Sequence, residues 1–432
     1  MKFHSIYSLR PNAPAVTNIQ AAVRDNIEPI RSLLRAIPRG APIAVTAGSR
    51  GIDRIADVVR ECCVALRECG ASPFIVPAMG SHGGATAEGQ RGLLAQLGIS
   101  EQQIGAPIVS SMETVSLGTT ARGIEVFMDR TAREAGRIFV LNRVKPHTDF
   151  DGAVESGLMK MMAVGLGKLQ GASTFHRNSL RFGYESVIVE MARRVLDSGR
   201  IVAGLGLVEN DRHLLCETAA APACDLEQLD RRLQVRAREL YPKLPFSSLD
   251  LLIVDELGKN ISGAGMDAKV IGRLVHPELS LTNTEPIRIR RVYVRDLTPE
   301  SEGNAAGMGF ADVMHERIRR KIDFHVTYTN VRAGLAPVVG RMPMHFPNDR
   351  SALEFLFLNL GSPALDQVRA AWIRNTLSVA AFRATPACAA ELQGNPAYEV
   401  NVCEAVEFDN GGNLTSLAPT LPEAGVGSTA GL

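Results

Sequence analysis

Aromatic residues, long apolar runs and an excess of either charge are scarce in this sequence. Aromatic side chains form 5% of the 432 residues, and the formal net charge is only +1. With a net charge so close to zero, no basic footprint for nucleic acid or an acidic membrane is visible in the sequence. No apolar run is long enough to span a bilayer, and residues 1–16 lack the apolar core of a signal peptide. We therefore expect neither a nucleic-acid partner nor a membrane partner.

The cysteines do not suit a disulfide framework or a structural zinc site. There are seven, an odd number, and Cys62, Cys63 and Cys69 fall on one predicted helix. No two of them have the CxxC spacing that structural zinc sites use. The simplest compartment for such a chain is a reducing cytoplasm.

What the sequence does contain is a regular alternation of buried runs and amphipathic stretches. Short apolar runs predict strands, and the stretches between them predict helices with apolar residues at helical spacing. The main strands predicted in the first half are residues 41–48, 72–80, 137–142 and 200–208. This pattern predicts an α/β fold of two domains with mainly parallel, Rossmann-like sheets and an active-site cleft between them.

A segment with two prolines, residues 240–248, is the predicted linker between the domains. The domains are therefore expected to span residues 1–242 and 243–409. Within the second domain, residues 365–382 are expected to add a helix and a strand. Residues 410–432 are rich in Gly, Pro, Ser and Thr, which predicts a disordered tail.

One stretch, residues 142–176, combines a high density of glycine with histidines, lysines and carboxylates. It follows a predicted parallel strand, and loops at the carboxyl ends of such strands often carry binding and catalytic groups. A mobile surface loop with solvated charges is the alternative, but residues 158–167 (LMKMMAVGLG) are too apolar to be left in water. Lys160, inside that run, must be paired, chemically used or neutral.

The segment VTAGSRGIDRIA, residues 45–56, looks like the glycine-rich dinucleotide loop of short-chain dehydrogenases. Asp53 replaces the last glycine of that motif, and its carboxylate would repel a diphosphate. Ser49, Arg50 and the backbone N–H groups that follow them could still hold a phosphate or a carboxylate. A surface ion pair is the alternative role for Arg50.

Two histidines directly follow predicted strands: His82 in MGSHGG and His147 in KPHTDFDG. If those strands are neighbours in one sheet, both imidazoles point into the same crevice. There they could act as proton acceptor and donor at neutral pH. Each histidine alone could instead be packed or capping.

Lys160 and His176 are separated by 16 residues, and the glycines at 165 and 167 allow the chain between them to double back. Lys160 could act as a nucleophilic amine. His176 could be a metal ligand, but one histidine is too few for a site built by protein alone. The other donors would then have to come from a cofactor.

These residues together resemble the nickel-dependent lactate racemase family, enzymes that use a nickel-pincer nucleotide. The order of the motifs matches, and so does the gap between the family's cofactor-tethering lysine and its nickel-binding histidine. The residues that carry the resemblance are Ser49, Arg50, His82 in PAMGSHGG, His147 in KPHTDFDG, Lys160 in ESGLMK, and His176. The resemblance implies a racemase or epimerase of 2-hydroxy acids.

The resemblance also implies a cofactor and its ligands. Lys160 would tether pyridinium-3,5-bisthiocarboxylic acid mononucleotide through a thioamide, and His176 would bind its nickel. Ser49 and Arg50 would lie near the nucleotide phosphate or the substrate. The enzymes that build the cofactor would be partners of the protein.

The substrate would be a small 2-hydroxy acid flanked by His82 and His147 as paired acid and base. Lys259 and Asn260, in the second domain's loop GKNISGAGMD, are the candidates for binding its carboxylate. A solvated lysine after a strand is the alternative for Lys259.

The sequence departs from the family's pattern just before the lysine. Leu158 and Met159 stand where the family's prototype has a Gly-Gly-Arg run, so we expect a substrate larger or more polar than lactate. A 2-hydroxy acid oxidoreductase or a hydro-lyase on the same site remains an alternative. So does a non-catalytic protein that binds an anion or the cofactor.

Overall fold

A computed structural model describes residues 1–49, 51–276 and 287–421. The strands of the described residues are β1 (Lys2–Ser8), β2 (Pro42–Ala47), β3 (Ser72–Pro77), β4 (Thr114–Thr119), β5 (Glu125–Asp129), β6 (Ile138–Arg143), β7 (Ile201–Glu209), β8 (Leu215–Pro222), β9 (Ser248–Leu257), β10 (Arg288–Leu297), β11 (Val313–His315), β12 (Met344–Phe346), β13 (Ala370–Ile373), β14 (Ala381–Ala384) and β15 (Tyr398–Ala405).

The helices of the same residues are α1 (Ile19–Ile27), α2 (Arg31–Arg35), α3 (Ile55–Glu68), α4 (Ala87–Gln96), α5 (Glu101–Ile104), α6 (Arg130–Ala135), α7 (Leu158–Lys160), α8 (Lys168–Phe182), α9 (Tyr184–Leu196), α10 (Leu226–Glu239), α11 (Glu316–Lys321), α12 (Phe324–Ala333), α13 (Asp349–Asn359) and α14 (Pro386–Ala389). A π-helical turn, Met161–Gly165, joins α7 to α8. Over the part of the chain that the structure describes, no helix is both long and apolar enough to cross a membrane.

The chain divides into two compact units, and one of them is Asn12–Tyr241. Its main sheet has the order β3-β2-β6-β7-β8, in which the first four strands are parallel and β8 is antiparallel. Residues 138–141 of β6 are buried on both faces of the sheet, which is why this part of the strand is entirely apolar. Helix α3 places Val58, Val59, Cys62 and Leu66 in the core at helical spacing.

The second unit contains Met1–Pro11 and the chain from Pro242 onward. Its described strands form a sheet of the order β12-β11-β10-β9-β13-β14-β1-β15. The strands from β12 to β13 pair in parallel, and those from β13 to β15 pair antiparallel. The predicted α/β fold with mainly parallel sheets in two units is therefore confirmed.

Two segments lie elsewhere than the sequence predicted. Residues 1–11 belong with the second unit because β1 hydrogen-bonds to β14 and β15. Residues 410–421, predicted as disordered tail, are held by backbone N–H groups of Leu414 and Ala418 that donate to buried carboxylates. Residues 422–432 of that predicted tail lie outside the described residues.

Candidate functional site

Three loops at the carboxyl edge of the first unit's sheet carry the predicted site residues. Ser49 follows β2, His82 follows β3 and His147 follows β6. Strand β2 lies between the other two, so the histidine-bearing strands flank it rather than pair with each other. Two interstrand spacings put the ends of β3 and β6 about 10 Å apart, with the loop after β2 between them.

His82 lies on an exposed loop that the neighbouring helix α4 shapes. Its Nδ1 atom is hydrogen-bonded to Ser49 Oγ, which ties the loop after β3 to the loop after β2. Gln90 of α4 donates to the carbonyl oxygens of Gly80 and His82, at 3.1 and 3.3 Å. Gly83 has φ +66° and approaches the α4 backbone so closely that a Cβ would lie 2.6 Å from a backbone carbon. This close approach requires glycine there.

His147 is held by its own loop through backbone contacts. Its N–H donates to Glu155 Oε2 at 2.5 Å, and Glu155 is buried. Its ring nitrogen Nδ1 accepts the N–H of Asp149 at 3.1 Å. A ring whose Nδ1 accepts a hydrogen bond carries its proton on Nε2 when neutral. The loop therefore fixes both the position and the tautomer of this imidazole.

A row of three aromatic rings, which we call the aromatic bridge, leads away from His147. Its members are Phe150, Tyr184 and Phe175. The His147 ring lies 4.8 Å from Phe150, which stacks on Tyr184 at 5.0 Å, and Tyr184 meets Phe175 edge-on at 5.8 Å between centroids. Such contacts stabilise packed rings beyond their buried area. No local sequence pattern indicates the bridge, because its members come from three separate segments.

Lys160 and His176 each lie beside Phe175, the last ring of the aromatic bridge. Lys160 Nζ lies 5.9 Å from the centre of the Phe175 ring, and the His176 ring lies 5.1 Å from that same ring. Both residues are partly buried. The structure thus brings the predicted amine and imidazole to one phenyl ring, although they are separated by a full helical segment.

The turn between Lys160 and His176 differs in detail from the expected glycine break. The chain passes through the π-helical turn, in which Leu166 N–H donates to Met161 O at 2.9 Å, and then bends at Lys168, which has φ +52°. Glycine is needed at position 165 because there is no room for a side chain, and not because of its backbone conformation. A Cβ there would lie 2.6 Å from Met161 Sδ and 2.7 Å from Ala78 O. Short π-helical turns of this kind are frequent at functional sites.

Helix α7, which carries Lys160, is capped by a side chain from another helix. Asp230 of α10 accepts the N–H groups of Leu158 and Met159 at 3.1 and 3.0 Å. Burial raises the pKa of the Asp230 carboxyl to about 6, and the two N–H donors oppose that rise. Gly157 makes the cap possible, because a Cβ at this position would overlap the carboxylate.

The remaining predicted site residues fall in other places. Arg50 lies outside the described residues. Lys259 and Asn260 belong to the second unit, where Lys259 Nζ donates to Asn330 Oδ1 at 2.8 Å and Asn260 Oδ1 accepts from Thr298 Oγ1 at 2.7 Å. Both side chains are engaged within their own unit, and their binding of a substrate carboxylate stays a prediction.

The protein donors near His176 are too few for a metal site of their own. Among residues 1–49, 51–276 and 287–421, no group of three or more His, Cys, Asp or Glu side chains could hold a metal ion. That a bound cofactor supplies the other donors of a metal at His176 stays a prediction.

Comparison with known proteins gives matches in fold alone. No family model matches the chain, and no curated protein matches it in sequence. A crystal structure of a protein from Thermotoga maritima matches with a TM-score of 0.50 and 13% identity, over 77% of this chain and 86% of that one. The lactate racemase apoprotein from Thermoanaerobacterium thermosaccharolyticum matches with a TM-score of 0.46 and 12% identity, over 83% of this chain and 91% of that one. At these identities, the Thermotoga match shows that the α/β fold of this chain occurs in another solved protein.

Proposed function

We propose that this protein is a racemase or epimerase that inverts C2 of a 2-hydroxy acid, with a nickel-pincer nucleotide tethered to Lys160. The observation that carries the proposal is that Lys160 Nζ and the His176 ring both lie close to the centre of the Phe175 ring, at 5.9 and 5.1 Å. The motif order, which resembles the nickel-dependent lactate racemase family, supports it independently.

The residues present fit such a cofactor. Lys160 offers an amine for a covalent link, and His176 offers one imidazole to the metal. Since no cluster of three protein donors was found in the described ranges, a cofactor that brings its own sulfur and carbon donors matches the chemistry of the site. When bound, the cofactor would supply a reversible acceptor for the C2 hydrogen, which is very hard to remove as a proton.

The two histidines would move the hydroxyl proton. When the substrate loses its hydroxyl proton and its C2 hydrogen, a planar 2-keto acid remains. The hydrogen can then return to either face of the C2 carbon. An enzyme that inverts C2 needs one base for each orientation of the hydroxyl group. His82 and His147, in the loops that follow the strands flanking β2, would supply one imidazole on each side. The Asp149 N–H fixes the tautomer of His147, and the Ser49 hydroxyl orients His82.

The deciding experiment is intact mass and metal analysis of protein made in a host that synthesises the cofactor. We expect nickel and a covalent mass increase that maps to Lys160 and is lost in Lys160→Arg. His176→Ala should keep the covalent adduct and lose nickel. Absence of any adduct on the wild-type protein would refute the proposal.

Turnover then separates racemisation from related chemistry. Loaded protein should interconvert the enantiomers or epimers of a member of a 2-hydroxy acid panel, and deuterium at C2 should be retained in the product. Accumulation of a 2-keto acid would indicate an oxidoreductase, and loss of water would indicate a hydro-lyase.

A further inference from the structure

Helix α10 contacts both segments of the proposed site, through side chains that lie two turns apart. Asp230 reaches the helix that carries Lys160, and Arg238 reaches the loop that carries His147. Eight residues separate them, which corresponds to about 12 Å along the helix axis. Helix α10 therefore contacts both the helix that carries Lys160, the proposed tether, and the loop that carries His147, a proposed proton-transfer group.

The Asp230 contact fixes the first turn of α7. Its two carboxylate oxygens each accept one backbone N–H, from Leu158 and Met159, and the residue is buried. Backbone N–H groups at a helix start have no partner within the helix, so a carboxylate there determines where the helix begins. Lys160 follows Met159 directly and is placed by this contact.

The Arg238 contact fixes the loop from His147 to Glu155. Its guanidinium group donates to Glu155 Oε1, with Nε at 3.2 Å, and to the carbonyl oxygen of Gly152. The other oxygen of Glu155 accepts the His147 N–H at 2.5 Å. The buried carboxylate therefore links Arg238 to the backbone of His147, so that the arginine helps to determine where this loop lies. The charges of these groups strengthen the hydrogen bonds.

Helix α10 is itself held against the sheet. Leu226, Leu229, Leu233 and Ala237 are buried on one side of it. Leu233 packs over Gly206 of β7, where a Cβ would overlap its side chain. The helix therefore has little freedom to move relative to the strands beneath the site.

We propose that Asp230 and Arg238 are positioning residues through which α10 holds Lys160 and His147 at a fixed separation. Neither residue is assigned contact with substrate or cofactor. The chemical meaning of this separation rests on the function proposed above, but the mechanical coupling does not.

Amide hydrogen exchange on the protein without cofactor tests the mechanical coupling. Arg238→Ala should raise exchange about ten- to a hundredfold in residues 147–155, as expected when hydrogen bonds to charged groups are lost. Asp230→Asn should raise exchange by a similar factor in residues 158–162. The asparagine side chain has one acceptor oxygen, whereas two backbone N–H groups need an acceptor. Gly157→Ala, which displaces the same carboxylate, gives a second variant if Asp230→Asn folds poorly.

Matched controls come from the same helix. Arg236→Ala removes an arginine that pairs with Glu239 and Glu217 at the surface, and Asp225→Asn changes an exposed carboxylate before α10. Both should leave exchange unchanged in both segments. If Arg238→Ala and Asp230→Asn match these controls, or raise exchange uniformly across the unit, the proposal is wrong.

Loaded protein tests whether the coupling serves the site. Asp230→Asn should lower the fraction of chains that carry an adduct on Lys160. Arg238→Ala should leave that fraction unchanged and lower kcat at least tenfold with a smaller change in KM, and Arg238→Lys should restore part of the loss. An unchanged kcat in Arg238→Ala would overturn the positioning role. If wild-type protein carries no adduct, the proposed function fails while the exchange result still decides the coupling.

Discussion

Lys168 Nζ lies 3.1 Å from Asp129 Oδ2, and both side chains are fully buried. Lys168 also donates to Pro77 O and to Gln90 Oε1, so it joins the end of β3 to α4 and the start of α8. Burial lowers the pKa of its ammonium group, and Asp129 opposes that effect. A charged residue eight positions from Lys160 is therefore part of the core that supports the His82 loop.

Lys168→Met should destabilise the protein by about 3–5 kcal/mol, because it leaves the Asp129 carboxylate buried without its cation. Urea denaturation of the single variant and of Lys168→Met/Asp129→Asn measures the effect. The double variant should recover much of the loss. Equal stability of the single and double variants would contradict this account.

Asp230 predicts a pH dependence of stability. Its pKa in the folded protein is raised to about 6 from 3.8, so the folded state binds this proton more tightly than the unfolded state. Its contribution to stability is therefore full below pH 3.8 and is lost as pH rises through 6. At 1.36 kcal/mol per pKa unit the loss is about 3 kcal/mol.

The free energy of unfolding, measured by urea between pH 4 and 7, isolates this contribution. The difference between wild type and Asp230→Asn should change by about 2.4 kcal/mol across that range, because pH 4 already lies just above the unfolded pKa of 3.8. A difference that stays constant with pH would refute the assignment.

His82→Ala and His147→Ala should each lower turnover of the loaded enzyme by about two to four decades, in both reaction directions. Under the proposed function each imidazole would serve one orientation of the hydroxyl group, and inversion would require both in every cycle. The exposed His325 of α12 is the matched control, and His325→Ala should be silent. A histidine variant that slows neither direction would remove that residue from the proposed mechanism.

At the scale of elements, the prediction from sequence was best where strands are buried on both faces. Residues 41–48 and 137–142 were predicted as strands, and the structure has Pro42–Ala47 and Ile138–Arg143. Residues 365–382 were predicted to form a helix and a strand, but they contain β13 and the start of β14 and no helix. Trp372 explains the difference, since it is buried in the second sheet with its Nε1 donating to Asp255 at 2.7 Å. Tertiary contacts of this kind override local propensity.

The features of the candidate site also divide into those that local sequence signals predict and those that depend on contacts between distant segments. The residues with strong local signals, His82 and His147, could be placed at strand ends because glycine-rich loops follow apolar runs there. The aromatic bridge and the contacts from α10 could not be predicted, because each joins segments that are distant in sequence. Spacing alone does not show which side chain will accept a distant backbone N–H.

The tight packing of the turn between α7 and α8 predicts that one methyl group added at Gly165 destabilises the protein. Gly165→Ala would place a Cβ 2.6 Å from Met161 Sδ and 2.7 Å from the backbone oxygen of Ala78. We expect a loss of about 1–3 kcal/mol, as for other overpacked positions. Thermal unfolding measures it.

Gly92 is the matched control because it lies within α4 and a Cβ there would meet nothing within 4 Å. Gly92→Ala should be neutral or stabilising by up to about 1 kcal/mol, since alanine is the better helix former. If both variants behave alike, the tight packing at Gly165 is not what holds the turn.

At the scale of the whole molecule, the second unit is built from two separate stretches of the chain, residues 1–11 and the residues from 242 onward. The first unit, residues 12–241, lies between them in sequence. Strand β1 lies inside that unit's sheet, between β14 and β15, with Phe3 and Ile6 buried. The sequence suggested one boundary because a linker with two prolines is visible near residue 242. The contribution of the first residues is not visible locally, since it depends on pairing with strands about 380 positions away, as between Ile6 and Phe382.

This interleaving predicts different behaviour for two fragments. Residues 12–241 should fold alone and unfold cooperatively, because their sheet and core are self-contained. Residues 242–432 without 1–11 should lack cooperative unfolding, since β14 and β15 lose the strand between them. Circular dichroism during urea titration tests both, and a peptide of residues 1–11 added to the second fragment should restore a transition. Cooperative unfolding of residues 242–432 alone would show that β1 is dispensable.

The place of β1 also has a consequence for synthesis on the ribosome. Residues 12–241 can fold as soon as they emerge, but β1 has no partner until β14 and β15 have been made. At about 5–20 residues per second, the amino-terminal strand waits roughly 20–80 s. During that interval Phe3 and Ile6 have no sheet to pack against, so we expect this short segment to be open to chaperones until the rest of its unit has been made.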